Sequence, residues 1–104
     1  MGEKAAFCVG QIVEHDLFGY RGVIFDVDTC YMLSDEWYEQ MAKSKPPKDD
    51  PWYHVLVDNG VHSTYVAERN LRPADNLDQI NHPSLGDYFK SFADGRYQSF
   101  QKVN

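Results

Sequence analysis

Trp52-Tyr53-His54-Val55-Leu56-Val57-Asp58-Asn59-Gly60-Val61-His62-Ser63-Thr64-Tyr65-Val66-Ala67-Glu68 is the stretch that decides the fold. Two runs rich in β-branched and aromatic residues flank Asn59-Gly60, a dipeptide favoured in type I′ hairpin turns. The spacing predicts one strand over residues 52–58 and a second over 61–68. In the first run Tyr53, Val55 and Val57 alternate with Trp52, His54 and Leu56, and both sets are largely apolar. Such a hairpin is expected between two packed surfaces.

Upstream, Tyr20 to Asp28 reads as a strand, with Gly22 marking a bend or a close backbone approach. Phe7 to His15 reads as another, kinked or bulged at Gly10, and Asp16-Leu17-Phe18-Gly19 as the turn between them. Between the second strand and the hairpin the period changes. Trp37, Tyr38, Met41 and Ala42 form a helical stripe within Ser34 to Lys43. Ser34 can cap this helix, Asp35 and Glu36 suit its first turn, and Pro46-Pro47 stop it.

Downstream, Asn70-Leu71-Arg72-Pro73 supplies a last short strand and residues 74–83 are irregular. Ser84 to Phe92 reads as a short helix with Leu85, Tyr88, Phe89 and Phe92 on one face. Asp94-Gly95 breaks it, and Arg96 to Asn104 reads as a tail. Residues 1–6 and 93–104 are expected to be flexible. The expected fold is mainly β: a small, strongly bent, SH3-like β-barrel with an inserted short helix and a short C-terminal helix, in a single domain over residues 1–104. An open meander is the alternative.

Composition narrows the function. The 104 residues carry 42% hydrophobic and 14% aromatic side chains, enough for one packed core and too few for a large enzyme scaffold. Ten Lys and Arg against sixteen Asp and Glu give a net charge of −6, which argues against nucleic-acid binding by bulk electrostatics. No apolar run is long enough to span a bilayer, and Met1 to Ala6 contains no signal-peptide core. Cys8 and Cys30 are isolated and read as reduced, mostly buried thiols of a cytoplasmic protein.

Few constellations carry chemistry. Asp26 and Asp28 fall on one face of a strand and together would suit a divalent cation, but with no third acid at EF-hand spacing the favoured reading is a solvated strand end. His54 and His62 face each other if the hairpin registers that way. Neither they nor His15 and His82 have metal-ligand spacing, and no metal or other cofactor is expected. No nucleophile motif, phosphate loop or dinucleotide fingerprint occurs, so no catalytic residue is assigned and the protein is not expected to be an enzyme. The candidate partner-binding residues are Tyr20, Arg21, Trp52, Tyr53, Tyr65 and Arg69, because aromatics beside Arg can anchor peptides or stack bases. The plain alternative for each is core packing. Arg21 lies in a stretch, Asp16 to Asp50, with eight acids against four bases. Phe92, Tyr97 and Phe100 space aromatics along the tail and are candidates for recognition by another protein in extended form.

Four segments together resemble a known family. They are Phe7-Cys8-Val9-Gly10-Gln11-Ile12-Val13-Glu14-His15; Phe18-Gly19-Tyr20-Arg21-Gly22-Val23-Ile24 with Asp26-Val27-Asp28; Pro51-Trp52-Tyr53-His54-Val55-Leu56-Val57; and Tyr65-Val66-Ala67-Glu68-Arg69-Asn70-Leu71. In this order they resemble the bacterial heat-shock HspQ family, also called the YccV-like or hemimethylated-DNA-binding family. The resemblance covers roughly residues 7–72. It implies a small β-barrel of the bacterial cytoplasm that acts in stress response and protein quality control. In that role it would promote degradation of denatured proteins, and of the replication initiator DnaA, by the Lon protease. It implies as the alternative a hemimethylated-DNA-binding module that regulates replication initiation. It further implies self-association into a homo-oligomer, with a trimer as one form, and supplies no catalytic residue.

Overall fold

The computed structural model describes residues 5–100. Strand β1 (Ile12–His15) is followed by β2 (Arg21–Asp28), helix α1 (Asp35–Met41), β3 (Trp52–Val57) and β4 (Ser63–Ala67). A three-residue 3₁₀ turn (Glu68–Asn70) leads into β5 (Leu71–Pro73). The described residues close with a one-turn helix α2 (Leu85–Tyr88) and a hairpin of β6 (Phe89–Ala93) and β7 (Arg96–Ser99).

β1 to β5 form one antiparallel sheet in the order β4-β3-β2-β1-β5. β4 and β5 are therefore opposite edges, yet only the 3₁₀ turn joins them. Three residues span little more than one turn, so the two edges must come close together. The sheet is thus bent hard, as expected for the SH3-like form, and stays open because β4 and β5 do not pair. A register shift between Ile24 and Asp26 in β2 adds to the bend. Gly22 sits where β2 and β3 press together: a Cβ there would lie 2.4 Å from Val55 Cγ1 and 2.6 Å from the Leu56 carbonyl oxygen.

The bend divides the interior. Val13, Ile24, Tyr53, Val55, Val66 and Leu71 fill the concave side. Ile12, Val23 and Leu56 point the other way and are covered by Ala74, Ile80, Phe89 and Tyr97. At one end, α1 lays Tyr38 and Ala42 on Trp52 and Ala67. β3 is consequently buried on both faces, as its two apolar sets require. The helix begins where expected: the Ser34 hydroxyl accepts the Trp37 N–H at 3.1 Å.

Four expectations change. Cys8 is exposed and Cys30 half-buried rather than packed in the core, because both lie outside the strands and helices. The Asn59-Gly60 turn is not type I′, because Asn59 has φ +64° while Gly60 is not in the left-handed region. The register runs from Leu56 to Ser63, and Val57 N–H donates to the His62 carbonyl across a longer connection. This connection is docked elsewhere: Asn59 N–H donates to the Asn81 carbonyl at 2.8 Å, and Asn81 N–H to Asp58 Oδ1 at 2.7 Å. The C-terminal helix is one turn rather than residues 84–92, since the chain becomes β6 from Phe89. The expected tail is a strand over Arg96–Ser99, and Ala93 pairs with Arg96 around Asp94-Gly95, both at positive φ. The type I′ geometry occurs there. β7 is tied to the sheet because Tyr97 N–H donates to the Gly10 carbonyl at 2.9 Å. The outermost parts of the expected flexible ends, residues 1–4 and 101–104, lie outside the described residues.

Candidate functional site

A groove of about 900 Å³ runs along β4, between the 15–20 turn on one side and α1 with the segment after it on the other. Its length is set by β4, all five of whose residues line it. Its first wall is His15, Leu17, Phe18 and Tyr20. Its second is Leu33, Trp37, Met41 and Ala42. Leu17, Phe18, Met41 and Leu33 are exposed, which in a small domain is a concentration of apolar surface on one feature.

Local contacts fix each wall. Asp16 N–H donates to the Asn70 carbonyl, and the Asp16 carboxylate accepts from Arg72 at 2.6 Å. The buried His15 then shapes the turn that follows. Its Nδ1 accepts the N–H groups of Leu17 at 3.1 Å and Phe18 at 3.2 Å, which requires an unprotonated Nδ1. The Phe18 ring stacks on the imidazole with centroids 4.5 Å apart. Burial holds the His15 pKa below its ordinary value, against the opposing charge of Asp16. Tyr20 is anchored by its hydroxyl, 2.8 Å from Thr64 Oγ1 on β4, and burial raises its pKa.

On the α1 side, Tyr65 stacks on Trp52 at 5.2 Å with Trp37 edge-on. Its hydroxyl donates to Asp28 Oδ2 at 2.6 Å and accepts the Met32 N–H at 3.1 Å. Burial, and then the bond to Asp28, push the Tyr65 pKa up. His54 Nε2 also meets Asp28 Oδ2, at 3.1 Å. Asp26, Asp28 and His54 bring their ligand atoms within 4.8 Å of one another. Two of these groups are already engaged with each other, and Asp26 Oδ1 accepts the Val27 N–H. His54 sits opposite Tyr65 in the register, so His62 is not its cross-strand partner.

The candidate residues divide. Tyr20, Trp52 and Tyr65 line the groove together, although Trp52 is itself almost fully buried, with its indole N–H on the Pro47 carbonyl. Arg69 is exposed at one end, where its guanidinium holds the carbonyl of Ser44, a lining residue. Arg21 lies apart: it forms a 3.0 Å ion pair with Asp58 and donates to the carbonyls of Asn76 and Asp78, pinning the irregular segment to the sheet. Tyr53 is buried, and its hydroxyl donates to Glu68 at 2.5 Å. In the C-terminal hairpin Tyr97 is buried with its hydroxyl on Ile80 N–H, Phe92 packs against Tyr97, and Phe100 is exposed. Sequence reasoning missed Leu17, Phe18, Leu33 and Met41. The available signal was an apolar pair, Leu17-Phe18, inside a turn otherwise made of Asp and Gly.

Electrostatically the groove differs from the rest of the molecule. None of its described lining residues is Asp or Glu, while Lys43 and three of the four histidines are among them. Elsewhere four cations are paired with carboxylates: Arg21 with Asp58, Lys45 with Glu39, Lys48 with Asp35, and Arg72 with Glu14 and Asp16. No described helix is long and apolar enough to cross a membrane. The family model described as "Hemimethylated DNA-binding protein YccV like" matches residues 5–96. That is most of the chain, which therefore belongs to the YccV-like family.

Proposed function

Taking membership of the YccV-like family as the starting point, we propose that the protein is a non-enzymatic adaptor of the cytoplasm. It grips denatured polypeptides and promotes their degradation by the Lon protease. The observation that carries this reading is the groove along β4, where exposed Leu17, Phe18 and Met41 flank a channel without a carboxylate. An unfolded chain displays apolar side chains and unpaired main-chain groups, and such a groove offers a surface for both. The absence of a recognised catalytic arrangement in the sequence accords with binding rather than bond-making. DnaA is a client to examine first, and self-association of the adaptor would present several grooves to one client. The test is the degradation rate of a heat-denatured substrate by purified Lon. The rate should rise with added protein and saturate. A rate unchanged across several denatured substrates, DnaA included, overturns the reading.

The family's description supports a second reading, a hemimethylated-DNA-binding module acting on replication initiation. Its electrostatics are poor. Of ten basic residues, Arg21, Lys45, Lys48 and Arg72 are each held by a neighbouring carboxylate, and sixteen acids oppose the remainder, a poor balance for displacing counterions from phosphates. Reading a methyl group also needs a contact at a major-groove base edge. Anisotropy titration of hemimethylated and fully methylated duplexes at physiological salt tests it. Tighter binding to the hemimethylated duplex supports the module, and equal weak binding removes it.

A further inference from the structure

We propose that the groove takes its ligand by strand addition: an extended apolar segment carrying carboxylates pairs with the free edge of β4. This rests on the adaptor reading and specifies how the client is held. The ladder fixes which main-chain groups are free. Val57 N–H bonds to the His62 carbonyl, and Glu68 N–H to the Pro51 carbonyl. Alternation in an antiparallel pair then turns residues 64 and 66 toward β3 and directs the N–H and C=O groups of Ser63, Tyr65 and Ala67 outward. No strand among the described residues pairs with that edge.

The two edges of the sheet are built differently. β5 reads Leu71-Arg72-Pro73, with a charge and a proline that discourage pairing. β4 reads Ser63-Thr64-Tyr65-Val66-Ala67, with neither. An added strand of about five residues would match its length, each residue rising about 3.3 Å. The side chains of such a strand alternate between faces. One set would meet Leu17, Phe18 and His15, on the side where Val66 and Tyr20 pack. The other would meet Leu33, Trp37 and Met41, on the side of Tyr65 and Ala67. Both sets must therefore be apolar, as in a buried core strand.

Charge selects the ends of the segment. The protein carries sixteen acids, yet none of those among the described residues lines the groove. Lys43 stands on the α1 side, Arg69 holds the Ser44 carbonyl there, and His62 lies exposed at the start of β4. The Asp28 carboxylate behind Tyr65 is engaged by Tyr65 and His54. A ligand with carboxylates beside its apolar run is complementary, and one with flanking lysines would lie close to like charge.

The probe is a fluorescein-labelled seven-residue peptide of Val and Leu ended by Glu on both sides, titrated by anisotropy. Two further versions carry N-methyl groups on the odd or on the even residues. Each methyl removes one main-chain donor, so one of the two versions should bind about tenfold or more weakly and the other should bind like the parent. A version ended by Lys should bind more weakly, and the Phe18→Ser/Met41→Ser variant should lose affinity for the parent peptide. Equal affinity of both methylated versions overturns strand addition. Tighter binding of the Lys version overturns the charge assignment. Displacement of the peptide by a DNA duplex but not by unlabelled peptide assigns the groove to nucleic acid and overturns the inference. Stimulation of Lon without binding of any peptide overturns the inference and leaves the adaptor reading standing. Peptide binding as expected without stimulation of Lon upholds strand addition and overturns the adaptor reading.

Discussion

The carbonyl of Gly10 accepts the main-chain N–H of Tyr97 at 2.9 Å, and Gly10 itself has φ +91°. The contact is so close that a Cβ on residue 10 would lie 2.1 Å from the Tyr97 carbonyl oxygen. It joins the start of the sheet to the C-terminal hairpin. Gly10→Ala adds both backbone strain and a clash with main chain that cannot swing aside. It should cost about 3 kcal/mol or more of stability. Urea denaturation would register this as a lower midpoint, and a midpoint equal to that of the parent protein would refute the close approach.

Gly22 makes the corresponding contact inside the sheet. Its missing side chain leaves room for Val55 Cγ1 and the Leu56 carbonyl. Gly22→Val should therefore force β2 away from β3 and lower stability by about 3 kcal/mol. An unchanged melting temperature would contradict it.

The β6–β7 hairpin should be structural. Tyr97 is buried against Phe89 and Phe92 and its hydroxyl accepts the Ile80 N–H. Deleting residues 93–104 uncovers Ile12, Val23 and Leu56 on that side of the sheet. The truncated chain should melt well below the full one and bind a hydrophobic dye. Tyr97→Ala alone should cost about 3–5 kcal/mol, the range for removing a buried aromatic. A truncation that melts like the full chain would show that the hairpin does not support the core.

Stability should fall on mild acidification through His15. Its pKa in the folded protein is lowered from 6.5, chiefly by burial. The unfolded chain thus binds a proton that the folded one resists. The stabilisation is complete above the unfolded value and is lost as pH falls below it. Protonation would also remove the acceptor that both Leu17 and Phe18 use. Between about pH 7.5 and about pH 5.5 the parent protein should lose more of its Tm than His15→Asn, whose side-chain oxygen accepts without titrating. An equal loss in both would place the acid sensitivity elsewhere.

The 52–57 run was legible because its aromatic and β-branched residues beside Asn59-Gly60 mark a strand even where both faces are apolar and no alternation shows. The turn after it was not, because Asn59 and Asp58 bond to Asn81, and tertiary docking selected a conformation that Asn-Gly alone does not favour. The reverse happened at Asp94-Gly95. The local signal for a type I′ turn was present, but the flanking Phe89-Lys90-Ser91-Phe92-Ala93 and Arg96-Tyr97-Gln98-Ser99 contain no Val, Ile or Thr, and Phe89 and Phe92 also fit a helical spacing. For the groove, the aromatic residues Tyr20, Trp52 and Tyr65 were visible as a set. The lack of carboxylates around them was not, since the lining is drawn from five separate parts of the chain. Arg21 shows the opposite limit: a lone cation in an acidic stretch suggests a partner, and its partner is Asp58 of the same chain.

The placement of β1 between β2 and β5, with Arg96 reaching back across 88 residues to Cys8, bears on how the protein is made. Contacts so distant along the chain close slowly, and here the whole five-stranded sheet lies in sequence between the two segments they join. Synthesis must run past β7 before the contact of Gly10 with Tyr97 is reachable. Until then the apolar first strands wait unshielded, so nascent copies should themselves be exposed to misassociation and depend on chaperones when translation is crowded.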